Sequence, residues 1–534
     1  MILRLFSRLD WRLCLATSTG DCRLSSDDLD LSAYLEDAAH FPGGHAAGIV
    51  FPRSTDDVSA AVAAAPRVLP IGAQSSLTGG ATPMGELILS TSRMAAILDR
   101  TGSTITVQAG VTIAAMQTHL AADGAWFPPA PTFTGAFAGG IVSTNAAGAA
   151  TFKYGSTREW VERITVVLAD GTILHVRRGE HRARNGLLRV GGQNVALPTY
   201  AVPRVQKRSA GYFTAPDLDA VDLFIGSEGT LGVVTEVTFR VLSPAPLTAL
   251  ALVPCGSEAQ AIGLTSALRA ASIETWRTGD AHGIDAAAIE NMDRRCIEIL
   301  VEDGATARHH VDLPADTKMA LLVQLELPAG TDAPRAYDEI AASADANASD
   351  SPLVRFCRML LAHGVLDVTE IAMPGDRRRF EQFIALREAV PAGVNHRVGV
   401  AKHTFDGRIA KTAADMVVPF EHVEEMNAIY RRGFESRGLD YAIWGHLSDG
   451  NVHPNVIPRS YEDVRLGREA ILEFGREAAR LGGCPLAEHG VGRSPIKQAL
   501  LRQLYGDDGI DQMRAVKRAL DPSWKLAPGV IFSR

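Results

Sequence analysis

Three loops rich in glycine and other small residues, all within residues 46–245, constrain this chain more than any other feature. The first, LPIGAQSSLTGGATP (69–83), sets Gly72, Gly79 and Gly80 among Ser75, Ser76 and Thr78 after an apolar run. The second, PPAPTFTGAFAGGIVSTNAAGAATFKYGSTREWV (128–161), carries Gly135, Gly139, Gly140, Gly148 and Gly155 beside Thr144, Asn145 and Ala147. The third, DLFIGSEGTLGVVTEV (222–237), breaks two β-like runs with Gly226, Gly229 and Gly232 around Ser227-Glu228. Such loops let backbone N–H groups converge on an anion and let main chain approach a flat ligand closely. None is a Walker loop or a G-x-G-x-x-G turn. One alone would be ordinary turn chemistry. Three in one stretch, with few charges inside them, point to a large dinucleotide-like ligand.

The segments between the loops read as short strands and helices. STITVQAG (103–110) is β-rich, and the helix after it takes Thr112 as N-cap, buries Ile113, Met116 and Leu120, and stops near Gly124. RITVVLADGTILHV (163–176) reads as a hairpin about Asp170-Gly171. In GVVTEVTFRVL (232–242) the residues Val233, Thr235, Val237, Phe239 and Val241 share one face. Ser243, Pro244 and Pro246 then mark a boundary. Beyond it strands and helices alternate irregularly, which predicts an α+β second domain. A chain of 534 residues exceeds one core. The expected division is an N-terminal arm (1–45), a cofactor domain (46–245), a cap (246–484) and a C-terminal segment (485–534) that returns to the cofactor domain.

Composition narrows the function by exclusion. The 53 Lys and Arg against 61 Asp and Glu give a net charge of −8, which argues against a nucleic-acid binder. Cysteines at 14, 22, 255, 296, 357 and 484 have neither zinc-ribbon nor iron–sulfur spacing and read as reduced thiols. No run of about 18 apolar residues predicts a membrane span. The start, MILRLFSRLDWRLCLATSTG, is too interrupted by Arg4, Arg8, Asp10 and Arg12 for a signal peptide. The expected location is cytoplasmic, or peripheral to a membrane.

The chemistry concentrates in YAIWGHLSDGNVHPNVIP (441–458). With Asp449-Gly450 as the centre of a type I′ turn, residue 446 pairs with 453. His446 and His453 then stand directly opposite on one face, with Cβ atoms roughly 5 Å apart. Asn451 and Asn455 share that face by parity. Two imidazoles converging on one point is what a divalent metal needs.

The loops together with GHLSDGNVH and AEHGVGRSPIKQALL resemble the PCMH-type, or vanillyl-alcohol oxidase-type, FAD flavoproteins, over roughly residues 45–534. The last two motifs resemble the branch of D-lactate, D-2-hydroxyglutarate and glycolate dehydrogenases. The resemblance implies an α+β chain: a PCMH-type FAD-binding domain under an α+β, ferredoxin-like cap. It implies noncovalent FAD, since neither His nor Cys sits in the first loop, against Gly72, Ala73, Gln74, Ser75, Ser76, Leu77, Gly79, Gly80, Pro131, Gly139, Gly140, Thr144, Asn145, Ala147, Gly148, Tyr154, Glu228, Gly229, Gly232 and Val233. It implies that Glu488 joins His446 and His453 in a site for zinc or manganese, that His489 is the base, and that Arg387 and Asn455 bind a 2-hydroxy acid. A metal-bound hydroxyl would lose its proton to His489 while C2 gives a hydride to flavin N5. Electrons would pass to a separate acceptor such as a quinone or cytochrome, and a homodimer is compatible with the sequence.

The chain departs from the pattern in places. Ile71-Gly72-Ala73-Gln74 replaces Arg-Gly-Ala, Ala147 a glycine, Ala527 an asparagine and Ser448 a glycine. Pro391 and Ala413 stand where hydroxyglutarate enzymes carry Thr and Lys, which argues against hydroxyglutarate. Two rivals share the fold: a flavin-dependent transferase of the alkyl-glycerone-phosphate synthase type, and a non-catalytic flavin subunit. Both are expected to lack the intact DGNVH and EHG strings.

Overall fold

The computed structural model describes residues 31–129, 131–345 and 350–534. Most of the expected arm, with Cys14 and Cys22, lies outside the described residues. The four remaining cysteines are buried and free.

Local chemistry places the first elements where the sequence reading has them. Thr112 accepts from the Ala115 N–H and starts the helix Ile113–Ala121, which buries Ile113, Met116 and Leu120. The strand Val233–Arg240 buries Thr235, Val237 and Phe239 and turns Arg240 outward. It forms the centre of a five-stranded antiparallel sheet, in the order Ile97–Arg100, Thr104–Gln108, Val233–Arg240, Val161–Val167, Ile173–Arg177. Three parallel strands, Gly48–Val50, Leu87–Ser90 and Val68–Ile71, form a second sheet. The chain's C-terminal segment joins this sheet: Leu526 bridges Val68 in parallel, the Val68 N–H donates to the Lys525 carbonyl and the Ala527 N–H to that of Val68.

The segment after Pro246 builds an eight-stranded sheet. Its first four strands in chain order are Leu247–Cys255, Ala286–Asp293, Met319–Leu327 and Glu370–Ala372. They stand side by side as fourth, first, third, second, all antiparallel, which is the ferredoxin-like order. Tyr441–His446, Asn451–Val456 and Thr412–Ala413 extend the sheet beyond Ala286–Asp293, and Met416–Val417 also pairs with Asn451–Val456. Both faces are covered. Leu250, Leu252, Met292, Ala320 and Leu322 pack toward the helices Arg294–Glu302 and Arg377–Thr404, while Ala249, Ala251, Ile289 and Val323 face the helix Glu258–Thr278. Period two along Ala286–Asp293 therefore turns Glu290, like Met292, toward the long helix that carries Arg387.

The histidine hairpin differs from the expected one. His446 pairs with Asn451 and Trp444 with His453, so the register is offset by two residues. Leu447–Asp449 forms a 3-10 turn closed by Gly450 at φ 79°, in place of a two-residue turn. The Asn451 N–H, which would close a type I′ turn, goes instead to a side chain of the turn. Ser448 Oγ accepts from the Ile289 N–H on the adjacent strand, and Asp449 Oδ1 accepts from the Asn451 N–H. A Cβ at Gly450 would collide with the Val418 carbonyl oxygen. An offset of two preserves the face, so the two imidazoles still meet, with ring centroids 5.5 Å apart.

Candidate active site

A cavity opens between the glycine loops. It is lined by the first loop from Gly72, Ala73 and Gln74 through Ser75, Ser76 and Leu77, and by Gly80. Pro131, Gly139, Gly140, Thr144 and Ala147 contribute from the second, and Glu228, Gly229, Gly232 and Val233 from the third. Gly139 must be small, because a Cβ there would lie 2.7 Å from that of Ala109. Glu488 and His489 reach the same wall.

Four residues expected at the cofactor do not line this cavity. Gly79 makes a turn at φ 77° against Phe41. Asn145, at φ 49°, ends the helix Ala138–Thr144 and accepts from Ser156 Oγ and the Arg158 N–H. The Gly148 N–H donates to Thr151 Oγ1. Tyr154 turns its hydroxyl to Glu326 on the cap strand Met319–Leu327, at 2.6 Å, where Lys153 Nζ also binds at 2.6 Å.

The EHGVG segment is held against the loops from both sides. Glu228, at φ 51°, accepts from the Val491 and Gly492 N–H groups at 2.8 Å each, and burial pushes its carboxyl up to about 7 against those donors. The Arg493 N–H donates to the Thr78 carbonyl, 2.9 Å away. Gly492 sits between them at φ 57°, where a Cβ would collide with the Thr78 backbone and hydroxyl. Gly492→Ala is expected to cost about 2–4 kcal/mol through backbone strain and overpacking. Thermal unfolding checks this, and an unchanged melting temperature would contradict it.

The cluster beside the cavity is built from the hairpin and this segment. His446 ends the strand Tyr441–His446, His453 lies within Asn451–Val456, and Glu488 follows the helix Tyr461–Arg480. One ligand-type atom from each of the three lies within 4.8 Å of the others. His446 Nε2 is 3.3 Å from Glu488 Oε1, and His453 Nε2 is 3.9 Å from Oε2. Burial drives the His453 imidazole down to about 3, which leaves it neutral. His446 differs: burial opposes its charge, but Glu290, bonded closely to its Nδ1, raises it to about 9. Burial would raise Glu290 in turn, but His446 and Arg387 outweigh it and hold the carboxylate at about 2.

Asp415 organises the other side. Its Oδ2 accepts the backbone N–H groups of Glu488 and His489 at 3.0 and 2.9 Å, and lies 3.0 Å from His489 Nδ1. Lys497 Nζ is 3.7 Å away. Burial alone would raise Asp415, but His489 and Lys497 hold it well below the carboxylate range. His489 is the most open of the group, 32% exposed at the side chain, and faces the cavity.

The expected substrate residues lie deeper. Arg387 donates through Nε and Nη2 to Glu290 at 2.9 and 2.8 Å and through Nη1 to Glu388 at 2.9 Å. It does not line the cavity. The buried Asn455 donates to the His453 carbonyl, and its Oδ1 has no hydrogen-bond partner. Three members of the cluster escaped the sequence reading. Glu290 and Asp415 are single carboxylates in buried strand-like runs, a signal that was there to read. Lys207 lies in a loop with no pattern around it. Burial opposes its charge, but Asp449 and Glu488 outweigh burial and raise its pKa.

A glycine-walled cavity with an imidazole and a carboxylate at one end suits a flat cofactor such as a flavin. Comparison with known proteins agrees: residues 46–177 match the FAD binding domain family, and residues 261–531 match the C-terminal domain of FAD linked oxidases. The chain belongs to the FAD-linked oxidases. It is 28% identical to the Bacillus subtilis glycolate oxidase subunit GlcD, over 91% of this chain and 89% of that protein. It is 28% identical to a D-2-hydroxyglutarate dehydrogenase of Xanthomonas citri pv. viticola, over 96% and 94%. With a D-lactate dehydrogenase of Anaerostipes hadrus it shares 26%, over 90% and 88%. Among solved structures, an alkyldihydroxyacetonephosphate synthase superposes with a TM-score of 0.53 at 15% identity, over 90% of this chain and 75% of that one. That likeness concerns fold alone. Among the described residues no helix is long and apolar enough to cross a membrane.

Proposed function

We propose that this protein oxidises a short D-2-hydroxy acid, such as D-lactate or glycolate, to the 2-oxo acid and passes the electrons to a separate acceptor. The observation that carries the reading is that Glu488 and His489 share the wall of the glycine-lined cavity, with His446 and His453 directly behind Glu488. Three relatives of near-equal coverage act, by their names, on small 2-hydroxy acids.

FAD, when bound in that cavity, supplies the hydride acceptor. The residues also suit a divalent cation. Two imidazoles and a carboxylate are a zinc- or manganese-type donor set, and both imidazole Nε2 atoms turn toward the Glu488 carboxylate. Glu290 on His446 Nδ1 leaves Nε2 turned toward Glu488, the arrangement in which a carboxylate orients a ligating imidazole. Held by His446, His453 and Glu488, the cation would lower the pKa of a nearby hydroxyl.

The chain's own groups do the rest. With its Nδ1–H directed at Asp415, His489 keeps the Nε2 lone pair free to take the hydroxyl proton. Asp415 fixes that tautomer and, through the two backbone N–H groups, the position of Glu488 as well. Arg387 suits the substrate carboxylate by charge and planarity, once its hold on Glu290 is shared. Ala413 pairs with Asn455 and brings no charge to that end of the sheet, which favours a substrate without a second carboxylate.

Anaerobic addition of D-lactate or glycolate to the flavin-loaded protein is expected to bleach its visible absorbance, with the L-isomer of lactate ineffective. A firmly bound flavin that no D-2-hydroxy acid reduces would overturn the proposal.

A further inference from the structure

A buried cation of the chain's own stands against the triad of His446, His453 and Glu488. Lys207 lies in the loop between the strand Gln193–Ala196 and the helix Ala220–Phe224, and its side chain is completely buried. Two bonds from Ser209 hold the loop: its N–H donates to the Leu486 carbonyl and its Oγ to that of Thr144. Lys207 Nζ stands 2.6 Å from Glu488 Oε1, 2.9 Å from Asp449 Oδ2 and 3.4 Å from Asn451 Oδ1. The Glu488 oxygen it meets is the one that lies 3.3 Å from His446 Nε2. The ammonium and a divalent ion therefore address the same carboxylate oxygen. In a buried site, charges at such distances interact far more strongly than in water.

We propose that Lys207 is a built-in counter-ion that competes with the metal for Glu488 Oε1 and so moderates how tightly the triad holds a divalent cation. Without metal, the ammonium keeps Glu488 and Asp449 compensated and the carboxylate in place. When metal enters, Lys207 yields Oε1 and falls back on Asp449, which is why a second buried carboxylate stands beside it. The inference rests on the metal reading above and deepens it: affinity is set by a competing side chain as well as by the three ligands.

The test uses flavin-loaded protein stripped of metal and titrated with Zn(II) against a chromophoric chelator. Lys207→Met removes the competitor and is expected to tighten Zn(II) binding by about tenfold or more. Asp449→Asn leaves the ammonium with Glu488 as its only directly paired carboxylate among the described residues and is expected to weaken binding by about fivefold. If Lys207 merely positions Glu488, Lys207→Met weakens binding instead, and that result overturns the inference, as does an unchanged constant. Should Lys207→Met fail to fold, Asp449→Asn decides alone: unchanged or tighter binding overturns the inference. A wild-type protein that binds no Zn(II) sinks the metal reading and this inference together, whereas wild-type binding with unshifted variants sinks only the inference.

Discussion

His489→Ala is expected to slow flavin reduction by a D-2-hydroxy acid about 10²–10⁴-fold, the range that a positioned general base contributes. The site's layout makes this the largest single effect. His489 is the one imidazole of the cluster that lines the cavity, and its Nδ1 is already engaged by Asp415. His446 and His453 cannot replace it, because each is nearly enclosed and turned toward Glu488. Stopped-flow reduction of the flavin-loaded variant gives the number directly. Reduction at the wild-type rate would mean that the proton leaves by another route.

The second large effect is expected from His446, His453 and Glu488, the proposed metal triad. Glu488→Ala and His446→Ala should each lower divalent-metal affinity by more than the roughly 10–100-fold seen when mere outer-sphere partners are changed. After dialysis, elemental analysis should show about one metal ion per flavin in the wild type and almost none in either variant. Substrate-driven reduction should fall with it. Unchanged metal content in both variants would remove the triad as a site. Flavin retained without metal or turnover in the wild type itself would instead favour a non-catalytic flavin subunit.

How far the sequence exposes this arrangement depends on the length scale of each cue. Strand parity is local, so the shared face of His446 and His453 was legible although the turn between them was misread. The turn itself depends on Ser448 meeting Ile289 and Gly450 packing under Val418, partners far away along the chain. Glycine loops announce a ligand cavity through composition, yet Asn145 and Tyr154 sit among those glycines and serve as a helix cap and a link to the cap strand. Arg387 has the right chemistry for a carboxylate, and the structure already gives it one, Glu290, which only tertiary contact could reveal. Glu290 and Asp415 could have been suspected from their apolar surroundings, because a lone carboxylate in a buried strand needs a partner.

The closing of the cavity by residues near the far end of the chain has a consequence for biosynthesis. The first glycine loop is translated early, but Arg493 that grips Thr78, the Leu526 segment that completes the Val68 sheet, and the Glu488–His489 wall all emerge late from the ribosome. Once the third loop is made, the nascent polypeptide carries nearly all of the cavity lining but not its imidazole and carboxylate end. The end of the cavity that bears Glu488 and His489 is therefore the last part of it to be made, after the loops that line the rest.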